Sequence, residues 1–113
     1  MPNVSTFNFE IPKNTTSPYT QLYEVLCPMV SQIHVQIPSG HKALAGLQIS
    51  VPGAILVPAA GSNVQYIFGD NDEFDYFPGL AIDGPPYKLM FRGYNNDPFL
   101  SHSFVVRVTA DKV

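Results

Sequence analysis

Hydrophobic and polar residues alternate along most of the chain with a period of two residues. In the stretch QIHVQIP, Ile33, Val35 and Ile37 fall on one side and polar residues on the other. This is the period of a strand with one buried and one exposed face. The same alternation recurs in STFNFEIP, TQLYEVL, GLQISVP, NVQYIFG, PYKLMFRGY and SHSFVVRVTA. The pattern predicts about seven to eight short strands and supports no long helix.

Proline and turn-forming residues separate these stretches. The chain has 11 prolines, and each would cost about 3 kcal/mol inside a helix. The segments between the predicted strands are rich in the Gly, Pro, Asn and Asp that reverse a chain, as in PSGHK, DGPP and YNNDP. We therefore predict an all-β protein, a single-domain antiparallel β-sandwich over residues 1–113, Greek-key or jelly-roll-like.

The apolar side of each predicted strand is expected to face the core between two sheets. An exposed aromatic platform for sugar binding is the competing interpretation, but the chain has no Trp, the usual stacking ring. The residues predicted to face the core are Ile33, Val35, Ile37, Leu47, Ile49, Val51, Val64, Tyr66, Phe68, Tyr87, Leu89, Phe91, Phe104, Val106 and Val108.

The loop-like stretch KNTTSPYT separates residues 1–12 from the other predicted strands, so their place in the fold is predicted separately. Phe7 and Phe9 fall on the same face of this stretch, and each ring gains roughly 1.5–3 kcal/mol from burial. The segment is either an edge strand of its own sheet or an N-terminal arm that adds to a neighbour's sheet. The low charge of the chain favours contact with a neighbour.

Charge is sparse and weighs against several classes of partner. Charged residues make up 13% of the chain and the net charge is −3, whereas a typical domain has about 25% charged residues. The six basic residues are scattered and form no stripe that would follow phosphates, so we expect no nucleic acid. A weakly charged surface is easily covered by protein, because few ions must lose their water.

No membrane or secretory segment is visible. The longest apolar run, AILVPAA, is far shorter than a membrane span. The opening MPNVSTFNFE has no basic region followed by an apolar run, so no signal peptide is predicted.

Four carboxylates lie close together in GDNDEFDYFPG, namely Asp70, Asp72, Glu73 and Asp75. Their spacing does not match a calcium-binding EF-hand loop, because Phe74 stands where the third ligand belongs. We predict an exposed, metal-free connection between strands, and the sequence leaves open whether residues 70–75 bind a cation.

No catalytic constellation is apparent, and we expect no enzyme, cofactor or metal. Cys27 lies between Leu26 and Pro28, which predicts a buried apolar thiol with no base nearby. The histidines at 34, 41 and 102 lie on separate predicted elements.

The most distinctive stretch is PPYKLMFRGYNNDP, followed by HSFVVRV. Gly93 within its strand predicts a bulge or a close approach of another backbone. This combination of a PPY strand, a GYN corner and a closing VVRV strand, over the last third of the chain, resembles small β-sandwich accessory proteins of tailed bacteriophages. Such proteins decorate capsids or tails.

The resemblance implies a structural virion protein, made in the host cytoplasm, that binds other copies of itself and a larger capsid or tail scaffold. We expect the contacts to involve Phe7, Phe9, Tyr94, Asn95 and Phe99. The alternative is a ligand-binding β-sandwich module for carbohydrate- or calcium-dependent adhesion.

Overall fold

The computed structural model describes residues 3–58 and 65–112, which form two antiparallel sheets packed face to face. The strands are β1 (Asn3–Ile11), β2 (Thr15–Val25), β3 (Met29–Ile37), β4 (Ala45–Val51), β5 (Ala54–Val57), β6 (Asp72–Tyr76), β7 (Leu80–Ala81), β8 (Tyr87–Asn95) and β9 (His102–Asp111). No helix within these ranges is long and apolar enough to cross a membrane.

Strand order defines a jelly-roll sandwich. One sheet has the order β1-β9-β3-β6, with β7 also pairing with β3, and the other has the order β2-β8-β4-β5. Successive strands thus alternate between sheets near the start of the chain, and the last strand returns beside the first. The predicted antiparallel β-sandwich is confirmed.

The core lies between the inward faces of the two sheets. In β9, Phe104, Val106 and Val108 alternate with exposed or half-buried residues, as their spacing predicted. Leu89 and Phe91 do the same in β8. The predicted core residues of β3, β4, β8 and β9 are all buried, except that Val51 and Tyr87 are half-buried at the margin.

Gly93 allows the close approach that its position in a strand predicted. A Cβ atom at this position would lie 2.7 Å from the carbonyl oxygen of Gly46 on the neighbouring β4 and would collide with Ile11 across the core. Glycine is therefore the residue that lets β8 pack here.

The prediction for NVQYIFG was wrong in phase. In its described part, Ile67 is buried and pairs with Leu47 through two backbone hydrogen bonds of 2.9 Å. That isolated bridge orients Ile67 inward, so Phe68 turns outward and is 51% exposed. Tyr66 is half-buried, and Val64 lies outside the described residues.

The acidic stretch is a strand and not a connection. Asp72–Tyr76 forms β6, which pairs with β3 from Ile37 to Ile33. Phe74 and Tyr76 turn toward the core and are half-buried. The four carboxylates, Asp70, Asp72, Glu73 and Asp75, are exposed, as predicted. From Glu73 to Tyr76, carboxylate and aromatic side chains alternate, which is a strand pattern. The prediction missed this strand because four carboxylates so close together suggested a loop.

The N-terminal segment belongs to its own sheet. β1 pairs with β9 along its full length, from Asn3 opposite Ala110 to Ile11 opposite His102. Phe9 and Ile11 are fully buried. The favoured hypothesis of an arm reaching a neighbour's sheet was therefore wrong, and the edge-strand alternative is what the structure has, because the chain's own core already buries these side chains.

Candidate interaction surface

The loop of residues 96–101, between β8 and β9, presents two adjacent hydrophobic side chains to solvent. Phe99 is 81% exposed and Leu100 is 60% exposed. Phe99 is the most exposed large hydrophobic residue in the described part of the chain. Exposed aromatic side chains on a fixed backbone are the usual anchors of protein interfaces.

Asn95 closes the base of this loop. Its side chain, 0% exposed, donates from Nδ2 to the carbonyl oxygens of Ile11 (3.2 Å) and Leu100 (3.0 Å). Its Oδ1 accepts a hydrogen bond of 2.9 Å from the backbone N–H of Asp97. One buried amide thus joins the end of β1 to both sides of the loop.

Asp97 organises the turn that carries Phe99. Its Oδ1 accepts hydrogen bonds from the backbone N–H groups of Phe99 (2.9 Å) and Leu100 (3.2 Å). Its Oδ2 accepts a bond of 2.8 Å from Nε2 of His102, the first residue of β9. The N–H donors, Phe99 foremost and then His102, hold the pKa of the Asp97 carboxyl below its usual value.

Two neighbouring turns hold the loop from its flanks. The backbone N–H of Asn14 donates to the carbonyl oxygen of Asp97 at 2.7 Å. The N–H of Asn96 donates to the carbonyl oxygen of Leu44 at 2.9 Å. The β1–β2 turn and the β3–β4 connection therefore both fix the position of the loop.

His41 lies beneath this network, almost fully buried. Its Nε2 is 2.8 Å from the carbonyl oxygen of Ser103, and because a carbonyl can only accept, Nε2 carries the hydrogen. The ring packs on Phe104 and His102, with ring centroids 4.9 and 4.5 Å away. Burial lowers the pKa of His41, and its Nδ1 has no hydrogen-bond partner among the described residues. The neutral ring therefore packs here as part of the core.

These contacts order the loop before any partner arrives. Association usually costs about 0.5–1.5 kcal/mol for each side chain that must be immobilised, together with the ordering of mobile loops. A backbone already fixed by Asn95 and Asp97 avoids the loop-ordering part of that cost. The loop can therefore serve as a preformed hydrophobic contact.

The predicted interface residues separate into two groups. Phe9 and Asn95 are fully buried and cannot touch a partner, which corrects that part of the prediction. Phe7 and Tyr94 are half-buried, with the Tyr94 ring 5.2 Å from that of Tyr66. Phe99 is the member of the predicted set that is open to contact.

Sequence reasoning missed Leu100 and the polar residues beneath the loop. The role of Asp97 could have been predicted from its position before Pro98 in a turn. An Asp in a turn commonly accepts hydrogen bonds from backbone N–H groups a few residues ahead. No local pattern indicated that His41 and His102 would meet.

The outward-facing side chains of β3 and β6 form a hydrogen-bond network on the surface. His34 Nδ1 lies 2.7 Å from Asp75 Oδ1, and its Nε2 lies 3.3 Å from Glu73 Oε1. Gln32 donates to the same oxygen of Asp75 at 3.0 Å, and the pKa of Asp75 is lowered by the bonds from His34 and Gln32. Within residues 3–58 and 65–112, no group of three or more His, Cys, Asp or Glu side chains is arranged to hold a metal ion.

A cysteine and an apolar groove lie elsewhere on the described part of the molecule. Cys27 is half-buried in the turn between β2 and β3, a little more open than predicted. An open apolar groove of about 270 Å³ lies between β5 and the segment that follows β6, and its lining includes Ile55, Phe77 and Leu80. Its lining residues carry no charged group that would orient a small polar ligand.

Comparison with known proteins assigns no family to this chain. No protein-family model matches the chain, and no curated protein matches it significantly. Among solved structures, it is similar to the Yersinia pseudotuberculosis-derived mitogen, with 12% sequence identity and a TM-score of 0.45 over 98% of this chain and 88% of that one.

Proposed function

We propose that this chain is a structural accessory protein of a virion, which binds a larger capsid or tail scaffold through the loop of residues 96–101. The observation that carries the proposal is the exposure of Phe99 and Leu100 on a loop held by the buried side chains of Asn95 and Asp97. A backbone held in this way presents the apolar tip to a partner at a low ordering cost.

The energy available from this tip suits an accessory protein. Burying a Phe or Leu side chain contributes roughly 1.5–3 kcal/mol each. Two such anchors give modest affinity for one site, which repeated sites on a scaffold can raise through multiple attachment. The low content of charged residues also favours binding to a protein scaffold, because few charged side chains would have to lose their water in the interface.

Two analogies, one of architecture and one of sequence, support a role in a virion. Jelly-roll sandwiches are frequent in viral capsid proteins, although they also occur in lectins. The PPY, GYN and VVRV elements, which resemble phage accessory proteins, are β8, its end and β9. The candidate loop joins those two strands, so the resemblance surrounds the proposed contact.

Density-gradient sedimentation of virus particles tests the proposal. The chain should move with the particles, and Phe99→Ser should return it to the free fraction with little change in its melting temperature. Phe77→Ser is the matched control, because Phe77 is also highly exposed (72%) but lies beyond β6, outside the loop. Wild-type chain that stays free of particles, or a Phe99→Ser variant that sediments like wild type, contradicts the proposal.

A further inference from the structure

Among the described residues, the sandwich has five edge strands, each with backbone groups not paired within its own sheet. They are β1, β6 and β7 in one sheet and β2 and β5 in the other. Open edges invite pairing with another chain, and proteins usually protect them with short length, charge, proline or irregular register.

Four of these strands carry such protection. β7 has two residues, β5 has four, and β6 has five, of which three are acidic. β2 contains Pro18, and its register with β8 is irregular between Thr15 and Tyr19. Each of these features disfavours the addition of a strand.

β1 lacks all of them. It has nine residues in unbroken register with β9, without Pro or Lys, and with Glu10 as its one charged residue. At about 3.4 Å per residue, this edge is about 30 Å long. The hydroxyl of Tyr23 lies 3.5 Å from the carbonyl oxygen of Asn8, too far for a strong hydrogen bond, so it protects the edge little.

We propose that the β1 edge pairs antiparallel with the β1 edge of a second copy, which joins two five-stranded sheets into one. Residues directly opposite in an antiparallel pair point to the same face. Since Phe7, Phe9 and Ile11 face inward in both copies, inward residues must lie opposite inward residues. A pairing centred on Phe7 meets this condition and uses all nine residues.

This register is free of charge conflict, which favours a second copy as the partner. It places Thr6 opposite Asn8 and Val4 opposite Glu10 of the other copy, so the two Glu10 side chains lie at opposite ends. It also places the half-buried Phe7 rings side by side, where each covers the other. The net charge of −3 adds little repulsion between copies.

Sedimentation velocity over a dilution series tests the pairing without any scaffold, so its result is independent of the virion proposal. Wild type should be dimeric at high concentration. Thr6→Lys/Asn8→Lys and Thr6→Glu/Asn8→Glu should each be monomeric, because like charges then lie opposite, and an equimolar mixture of the two should restore the dimer. Thr20→Lys, on the exposed edge strand β2, should leave the dimer intact.

Cysteine pairing tests the register directly, in a Cys27→Ser background. Val4→Cys/Glu10→Cys should oxidise to a covalent dimer, because the two positions face each other across the twofold axis. Val4→Cys/Asn8→Cys should not. A wild type that is monomeric at every concentration, or equal cross-linking by both cysteine pairs, overturns the proposal.

Discussion

Replacement of Asn95 with Ala removes the central support of the 96–101 loop. The side chain makes three hydrogen bonds, to Ile11, Leu100 and Asp97, from a position that is 0% exposed. At about 1 kcal/mol net for each bond, the free energy of unfolding should fall by about 3 kcal/mol. Proteins of this size are stable by only about 5–15 kcal/mol, so the loss is large.

Urea unfolding followed by far-ultraviolet circular dichroism measures this loss. The matched control is Asn96→Ala, the same substitution one residue later, where the side chain is exposed and Ala keeps the backbone N–H that bonds Leu44. The control should stay within about 0.5 kcal/mol of wild type. Protease cleavage within the loop should also increase in Asn95→Ala and not in the control. A loss below about 1 kcal/mol, or equal losses in the two variants, would refute the account of the loop.

Three further predictions concern the core, acid and calcium. Phe104→Ala should lower the free energy of unfolding by about 3–5 kcal/mol, while Phe77→Ala stays within about 0.5 kcal/mol, and equal urea midpoints would contradict the core assignment. The pKa of His41 is lowered from 6.5, so on acidification the unfolded chain binds a proton first and the free energy of unfolding should fall below pH 6.5. The lowered pKa of Asp97 adds a second loss of stability that begins below pH 3.8. A free energy of unfolding that stays constant from neutral to acid pH would exclude both. Calorimetric titration should show no calcium binding tighter than millimolar, and binding that disappears in Asp72→Ala would instead favour the ligand-binding alternative.

Alternation predicted the long strands because one-sided burial imposes it residue by residue. β8, β9 and the part of β3 from Ile33 to Ile37 bury every second residue, so their pattern is visible without any knowledge of neighbours. β5 escaped prediction because AILV is short and apolar on both faces. β6 escaped because its carboxylates suggested a loop, whereas His34 and Gln32 on the adjacent β3 accommodate Asp75.

The candidate surface was only partly predictable for a different reason. Phe99 lies in a recognisable turn, but part of its support comes from His102, whose bond to Asp97 forms only once β9 is in place. In the sequence, Asn95 looks like any asparagine at the start of a turn, and only the folded structure shows that its side chain is buried. Local sequence indicates turn chemistry and does not indicate which polar side chains the topology will enclose.

Site-specific photo-cross-linking on purified virus particles tests the central claim most directly. A photoreactive phenylalanine analogue replaces Phe99 in one preparation and the exposed Phe77 in another. The account predicts that position 99 cross-links to a repeated structural subunit of the capsid or tail and that position 77 gives much less of that product. Absence of the chain from the particles, or equal cross-linking from the two positions, would contradict it.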